Sequence, residues 1–184
     1  MTSVKLASGL YMPLLGLGTW ELRGGKCAEV VERALGLGYR HIDTAHMYRN
    51  QEAVGEGIRQ SGVPREELFV TTKIRHDALR LNQVLTQFQS CLDQLKLDYV
   101  DLLLIHWPSE AVPLEETLAA FDEIHASGRT RHIGVSNFSS EQVDAAIVLA
   151  GAPICTNQVE FHPGKFEESL WRHNTEKGVI ITAH

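Results

Sequence analysis

The chain has 184 residues, 43% apolar and 22% charged, with a formal net charge of -6. That length leaves room for one domain with a sizeable core, spanning residues 1–184. The acidic balance gives neither a basic footprint for nucleic acid nor a polybasic membrane patch. Cys27, Cys91 and Cys155 are widely spaced and form no CxxC, so they read as reduced thiols of a cytoplasmic protein. The first residues lack an apolar signal core, and no run reaches transmembrane length.

In chain order, residues 4–6 and 10–15 around Ser8-Gly9 predict a small N-terminal β-hairpin. GLGTW follows, read as a turn leading to Trp20. Its GxG has no third glycine at dinucleotide-binding spacing, because position 21 is Glu21. Residues 27–37 have helical spacing, with Gly38 as a stop. Residues 41–45 read as the first barrel-type strand. The alternation then repeats, with helices at 51–60, 81–95, 114–126, 139–150 and 166–177. Strands fall at 68–73, 99–106, 130–136, 154–160 and 178–183, the last being the sixth in this reading. Ser139 and Gln142 stand at capping-box spacing.

Strands alternating with helices imply βα units and a parallel sheet. Near-continuous apolar strands, such as 102–105, fit a sheet buried on both faces. A (β/α)8 TIM barrel competes with an open doubly wound sheet, and the strand ends favour the barrel, where chemistry collects at the C-terminal ends of strands. Here the strands run into Asp43 with Tyr48 beyond it, Lys73, His106 and Ser136-Asn137, with Gln158 late in the next. Singly, Asp43 reads as a turn cap, Lys73 as a solvated strand end and His106 as a core histidine. A carboxylate, a lysine and a histidine at three successive strand ends read better as a site.

That set suits carbonyl reduction. A carbonyl receiving hydride develops negative charge on oxygen and needs a proton donor. A tyrosine can be that donor if an ammonium such as Lys73 lowers its pKa from about 10. A buried ammonium needs a counter-ion, and Asp43 supplies one. His106 can hydrogen-bond and orient the carbonyl oxygen. Ser136, Asn137 and Gln158 carry groups that could hold a planar carboxamide.

The segments GLGTW, YRHIDTAHMYRN, FVTTK, DLLLIHWP, IGVSNF and NQVEFHP resemble the aldo-keto reductase family, most of all its short prokaryotic 2,5-diketo-D-gluconate and methylglyoxal reductases. The resemblance runs from about Val4 to the last residue. It implies a (β/α)8 barrel of which about six of eight βα units fall in this chain. It implies a catalytic tetrad of Asp43, Tyr48, Lys73 and His106, with Tyr48 the proton donor. It implies NADPH lying across the barrel mouth, contacted by Gly18, Thr19, Asp43, Ser136, Asn137, Gln158 and His184. His184 falls where the family has the aromatic that stacks on nicotinamide. Trp20, His46, Tyr48, His106 and Trp107 would line the pocket for a small carbonyl substrate.

By the same resemblance the family continues for two further βα units. A complete barrel is expected to be monomeric; an unclosed one would expose the outer edges of the first and sixth strands and invite edge-to-edge association. The rival reading is a weakly active or inactive partial barrel serving as a binding module. No HxH or HExxH motif occurs, so no metal site is expected.

Overall fold

The computed structural model describes residues 2–9 and 11–184. Strands β1 (Ser3–Lys5) and β2 (Tyr11–Pro13) pair antiparallel, forming the expected hairpin; Leu10, placed in its second strand above, lies outside the described residues. The chain then alternates: β3 (Gly16–Gly18), α1 (Gly24–Gly36), β4 (His41–Asp43), α2 (Gln51–Ser61), β5 (Phe69–Ile74), α3 (Leu81–Leu95), β6 (Val100–Ile105), α4 (Leu114–Ala126), β7 (Thr130–Ser136), α5 (Ser140–Leu149), β8 (Ile154–Val159), α6 (Glu168–Glu176) and β9 (Ile180–Ala183). Strands β3 to β9 form one parallel sheet in chain order. These are six βα units and a seventh strand of a (β/α)8 barrel.

The strand count corrects the sequence reading. The first strand of the sheet is Gly16–Gly18, read above as a turn, so Ile180–Ala183 is the seventh strand rather than the sixth. The described sheet has β3 and β9 at its edges. A three-residue GLG strand carries one apolar side chain and no alternation to detect. Its glycine has a packing reason: a Cβ on Gly16 would stand 2.8 Å from the imidazole Nδ1 of His41. The two strands approach closely because Gly16 yields its side-chain space to that ring.

Period-two alternation sorts the strand residues. Outward positions such as Val70, Ile74, Leu103, Ile105, Ile133 and Val135 join the helices in the larger core. Helix α3 presents Val84, Phe88, Leu92 and Leu95 to it at helical spacing. The inward positions form the barrel filling: Phe69, Leu102, Leu104 and Cys155 pack with Leu6 and Met12 of the hairpin segment, which plugs the barrel floor. Gly134 belongs to this inner layer, where an added Cβ would meet Leu104 and the Thr156 carbonyl oxygen, each at 2.8 Å. Above Phe69 and Thr71, the next inward position of β5 is Lys73.

The sheet is curled, as one hydrogen bond makes plain. Gln158 on β8 bonds Asp43 on β4 at 2.8 Å, although the two strands are four places apart. In a flat sheet they would lie roughly 19 Å apart.

Two histidines sit in the barrel filling. Phe69 stacks on His132 and packs edge-on to His41, whose Nε2 bonds Thr71. Burial drives the basicity of both down, that of His132 from 6.5 to about 4. The unfolded chain therefore takes up protons at these sites first as pH falls. Their contribution to stability is complete above about pH 6.5 and is lost progressively as pH falls, that of His132 towards about pH 4. Thermal unfolding midpoints should fall over that window, and His132→Phe should flatten the fall; an unchanged slope in that variant would remove His132 as a cause. Gly134→Ala should cost on the order of 1–3 kcal/mol by overpacking the inner layer, measured by urea unfolding.

Candidate active site

The barrel mouth gathers side chains from the ends of all seven strands of the parallel sheet. Lys73 is fully buried, and its ammonium has three contacts. It forms a short ion pair with Asp43 Oδ1, donates to the Thr44 carbonyl oxygen at 3.1 Å, and donates to the Tyr48 hydroxyl at 3.2 Å. All three protons of a lysine ammonium are thus committed. Gln158 Nε2 donates to the other Asp43 oxygen, which leaves the carboxylate bridged between an ammonium and an amide. A carboxylate only accepts, so this contact also fixes which end of the Gln158 amide faces it.

Tyr48 reaches the mouth from a single 3₁₀ turn, His46–Tyr48, which closes on Arg49 at φ +54°. Burial raises its phenol above the usual pKa of 10. Lys73 pulls the other way through its charge and hydrogen bond, and Asp43 adds to the rise. The net direction corrects the expectation from sequence: desolvation outweighs the ammonium, and the phenol holds its proton more tightly than in water. His106 packs edge-on to Tyr48 with ring centroids 5.6 Å apart and stacks on Trp107. Burial, then the Lys73 charge, lowers its basicity from 6.5 to about 3. The imidazole is therefore neutral, and its Nδ1 is buried with no hydrogen-bond partner among the described residues.

A cleft of about 540 Å³ opens above these groups. Gly18, Thr19, Trp20, Asp43, Met47, Tyr48, His106, Trp107, Ser136, Asn137, Gln158 and His184 line it. Every residue singled out from sequence is at this mouth except His46. His46 instead faces a groove formed with α3 residues Asn82, Gln83, Thr86, Gln87 and Ser90. Met47 takes the cleft position. The reason is local: the 3₁₀ turn interrupts strand alternation, so parity from β4 does not say which of His46 and Met47 turns inward. Lys73 stands behind Tyr48, outside the lining.

The three groups expected to hold a carboxamide are cross-linked to one another. Ser136 Oγ donates to the backbone carbonyl oxygen of Gln158, and Asn137 Nδ2 donates to the backbone carbonyl oxygen of His106 and to Ser136 Oγ, both at 3.0 Å. Asn137 adopts φ +61°, a conformation costly for most side chains. Their side-chain donors are largely spent within the protein. The carbonyl oxygens of the Asn137 and Gln158 side chains receive no hydrogen bond from a described residue. Free acceptors beside an aromatic-walled cleft fit the amide N–H group of a nicotinamide. His184 closes the same side, its basicity lowered by burial and then by Lys73.

The fold and the mouth together define a class: parallel barrels in which a buried lysine joins a carboxylate to a phenol beside a neutral histidine. The family model described as "Aldo/keto reductase family" matches residues 14–184, and the chain belongs to that family. It is similar to methylglyoxal reductase DkgB of Salmonella typhimurium, 46% identical over 178 residues, covering 95% of this chain and 67% of that protein. It is 40% identical over 182 residues to glyoxal reductase of Bacillus subtilis, covering 98% of this chain and 66% of that protein. The Bombyx mori aldo-keto reductase in complex with NADP superposes with a TM-score of 0.94 at 34% identity, covering all of this chain and 66% of that one. A Brucella melitensis aldo/keto reductase gives 0.94 at 38% identity, covering 99% and 70%. The chain thus spans about two thirds of the length of these relatives.

Two outcomes test the electrostatics without a ligand. Tyr48 should ionise above pH 10, read as the tyrosinate absorbance lost in Tyr48→Phe. Lys73→Met should raise that pKa further, because it removes the one charge that lowers it; a fall would refute the account.

Proposed function

We propose that the protein reduces aldehydes and ketones with NADPH, including sugar-derived ketones and dicarbonyls like methylglyoxal. The observation that carries the reading is the buried Lys73 joining Asp43 to the Tyr48 hydroxyl, with neutral His106 beside it. Support for the substrate class comes from the relatives, which include a methylglyoxal and a glyoxal reductase. Ser136, Asn137 and Gln158 would hold the nicotinamide carboxamide, with Gly18, Thr19, Asp43 and His184 around the ring. When bound, NADPH supplies a hydride to the carbonyl carbon.

The chain's own residues supply the rest. Tyr48 gives its proton to the carbonyl oxygen, so that carbon gains hydride, oxygen gains a proton and an alcohol results. The phenol arrives protonated, as its ordinary pKa of about 10 already ensures, and burial reinforces this. The tyrosinate left behind is stabilised by Lys73, whose charge Asp43 sustains. His106, neutral down to about pH 3, donates one hydrogen bond to the same oxygen and orients it. Trp20 and Trp107 flank the entering substrate, and Met47 gives one wall an adaptable surface. The amide acceptors on the opposite wall keep cofactor and substrate on separate sides.

A Schiff-base role for Lys73 is disfavoured by its hydrogen bonding. A nucleophilic amine needs a free lone pair, and here the nitrogen is an ammonium with each proton engaged. Among the described residues no group of three His, Cys, Asp or Glu side chains is arranged to hold a metal, and no helix of the described residues is long and apolar enough to cross a membrane. The three buried thiols have no disulfide partner, in keeping with the proposed cytoplasmic setting.

Tyr48→Phe should lower turnover of methylglyoxal by at least about a thousandfold, with NADPH binding nearly unchanged when titrated by tryptophan fluorescence. Normal turnover in that variant would take the proton-donor role from Tyr48. Absence of both fluorescence quenching and NADPH oxidation in the unmodified chain would favour the binding-module reading.

A further inference from the structure

Asn50 is a residue the chemistry above does not use. It precedes α2 and is 3% exposed. Asparagine at that position ordinarily caps a helix by accepting a backbone N–H with its side-chain oxygen. This one makes no cap bond. Its Oδ1 accepts the Thr44 hydroxyl at 3.0 Å, and its Nδ2 donates to the carbonyl oxygens of Thr19 at 2.7 Å and Leu22 at 3.1 Å. The two carbonyls can only accept, so the amide has one admissible orientation.

Each partner belongs to a different part of the mouth. Thr19 and Leu22 bracket Trp20, whose ring packs edge-on to Tyr48 at 4.9 Å. Thr44 gives its own carbonyl oxygen to the Lys73 ammonium. Thr19 is further tied to the Asp43 carbonyl oxygen through both its N–H and its hydroxyl. One buried amide therefore bridges the loop carrying an exposed tryptophan and the turn that seats the lysine and the phenol.

We infer that Asn50 is a positioning residue: it fixes Trp20 over Tyr48 by clamping the Thr19–Leu22 loop to Thr44, giving up a helix cap to do so. The inference rests on the reductase reading for its kinetic consequence but not for its geometry. Asn50→Asp keeps the shape and replaces two donors with an oxygen facing two carbonyls, which should drive the loop away. Thr44→Val is milder: it removes only the hydroxyl bonded to Oδ1.

The full chain labelled with 5-fluorotryptophan gives signals from Trp20, Trp107 and Trp171 by fluorine NMR, with Trp20 assigned through Trp20→Phe. In Asn50→Asp the Trp20 signal should shift and broaden while that of Trp171 stays. KM for methylglyoxal should rise about tenfold with kcat changed less than about threefold, the pattern of lost substrate contacts with intact chemistry. Thr44→Val should move both readouts in the same direction by less, and decides the matter if Asn50→Asp fails to fold. A lowered melting temperature with the Trp20 signal and KM unmoved would make Asn50 merely structural and overturn the inference. An unmodified chain without turnover would sink the reductase reading instead, and the fluorine signals alone would then decide whether Asn50 holds Trp20.

Discussion

The ammonium of Lys73 is the constraint on which the mouth of this barrel depends. A charge with no solvent contact is tolerable only if its surroundings replace water, and here three oxygens do so: a carboxylate, a backbone carbonyl and a phenol. Each comes from or just after β4, while Lys73 lies on β5, so the pair of strands must hold register for the charge to be neutralised. Asp43 then needs its own second partner, and Gln158 from β8 provides it. That last contact spans the barrel, so satisfying one buried lysine requires the sheet to curl. Loss of Asp43 would leave the buried Lys73 charge without its counter-ion, which is costlier than never having had the pair.

Much of this was legible in the amino-acid order because the polar residues break long apolar runs. Lys73 ends FVTTK and His106 ends DLLLIH, and neither belongs in a buried strand without a reason. Helices α3 and α4 were read with the observed bounds, since their apolar spacing is regular and their ends are marked. The Ser139–Gln142 capping box is present as the spacing suggested. Gly16–Gly18 was illegible as a strand because pattern recognition needs side chains, and that strand exists to make room for a neighbour's. His46 and Met47 were indistinguishable because a tight turn resets which way successive residues point. The direction of the Tyr48 shift needed the depth of burial, which no motif encodes.

Asn50 illustrates a different limit. In sequence it is an asparagine before a helix, and capping is its commonplace use. Only in the folded chain does its amide turn away from the helix and join two loops. Among the described residues, three of the four non-glycine residues at left-handed backbone angles lie around the mouth: Glu21 beside Trp20, Arg49 beside Tyr48, and Asn137 in the cleft lining. Of these, Asn137 is held by hydrogen bonds to the backbone carbonyl oxygens of Gln158 and His106 at the ends of other strands.

Two of the ionisable rings that line the cleft, Tyr48 and His106, are displaced in opposite directions, the phenol upward and the imidazole downward. Across ordinary pH both therefore present uncharged faces, while the lysine's charge is sealed behind them. A molecule entering the cleft meets these rings, two tryptophans and one thioether, together with the Asp43 carboxylate and the Asn137 and Gln158 amides. Against the rings and the thioether, choice among visitors of similar size falls to contour and polarisability, and the phenol and the His106 imidazole keep their charge state as cellular acidity shifts.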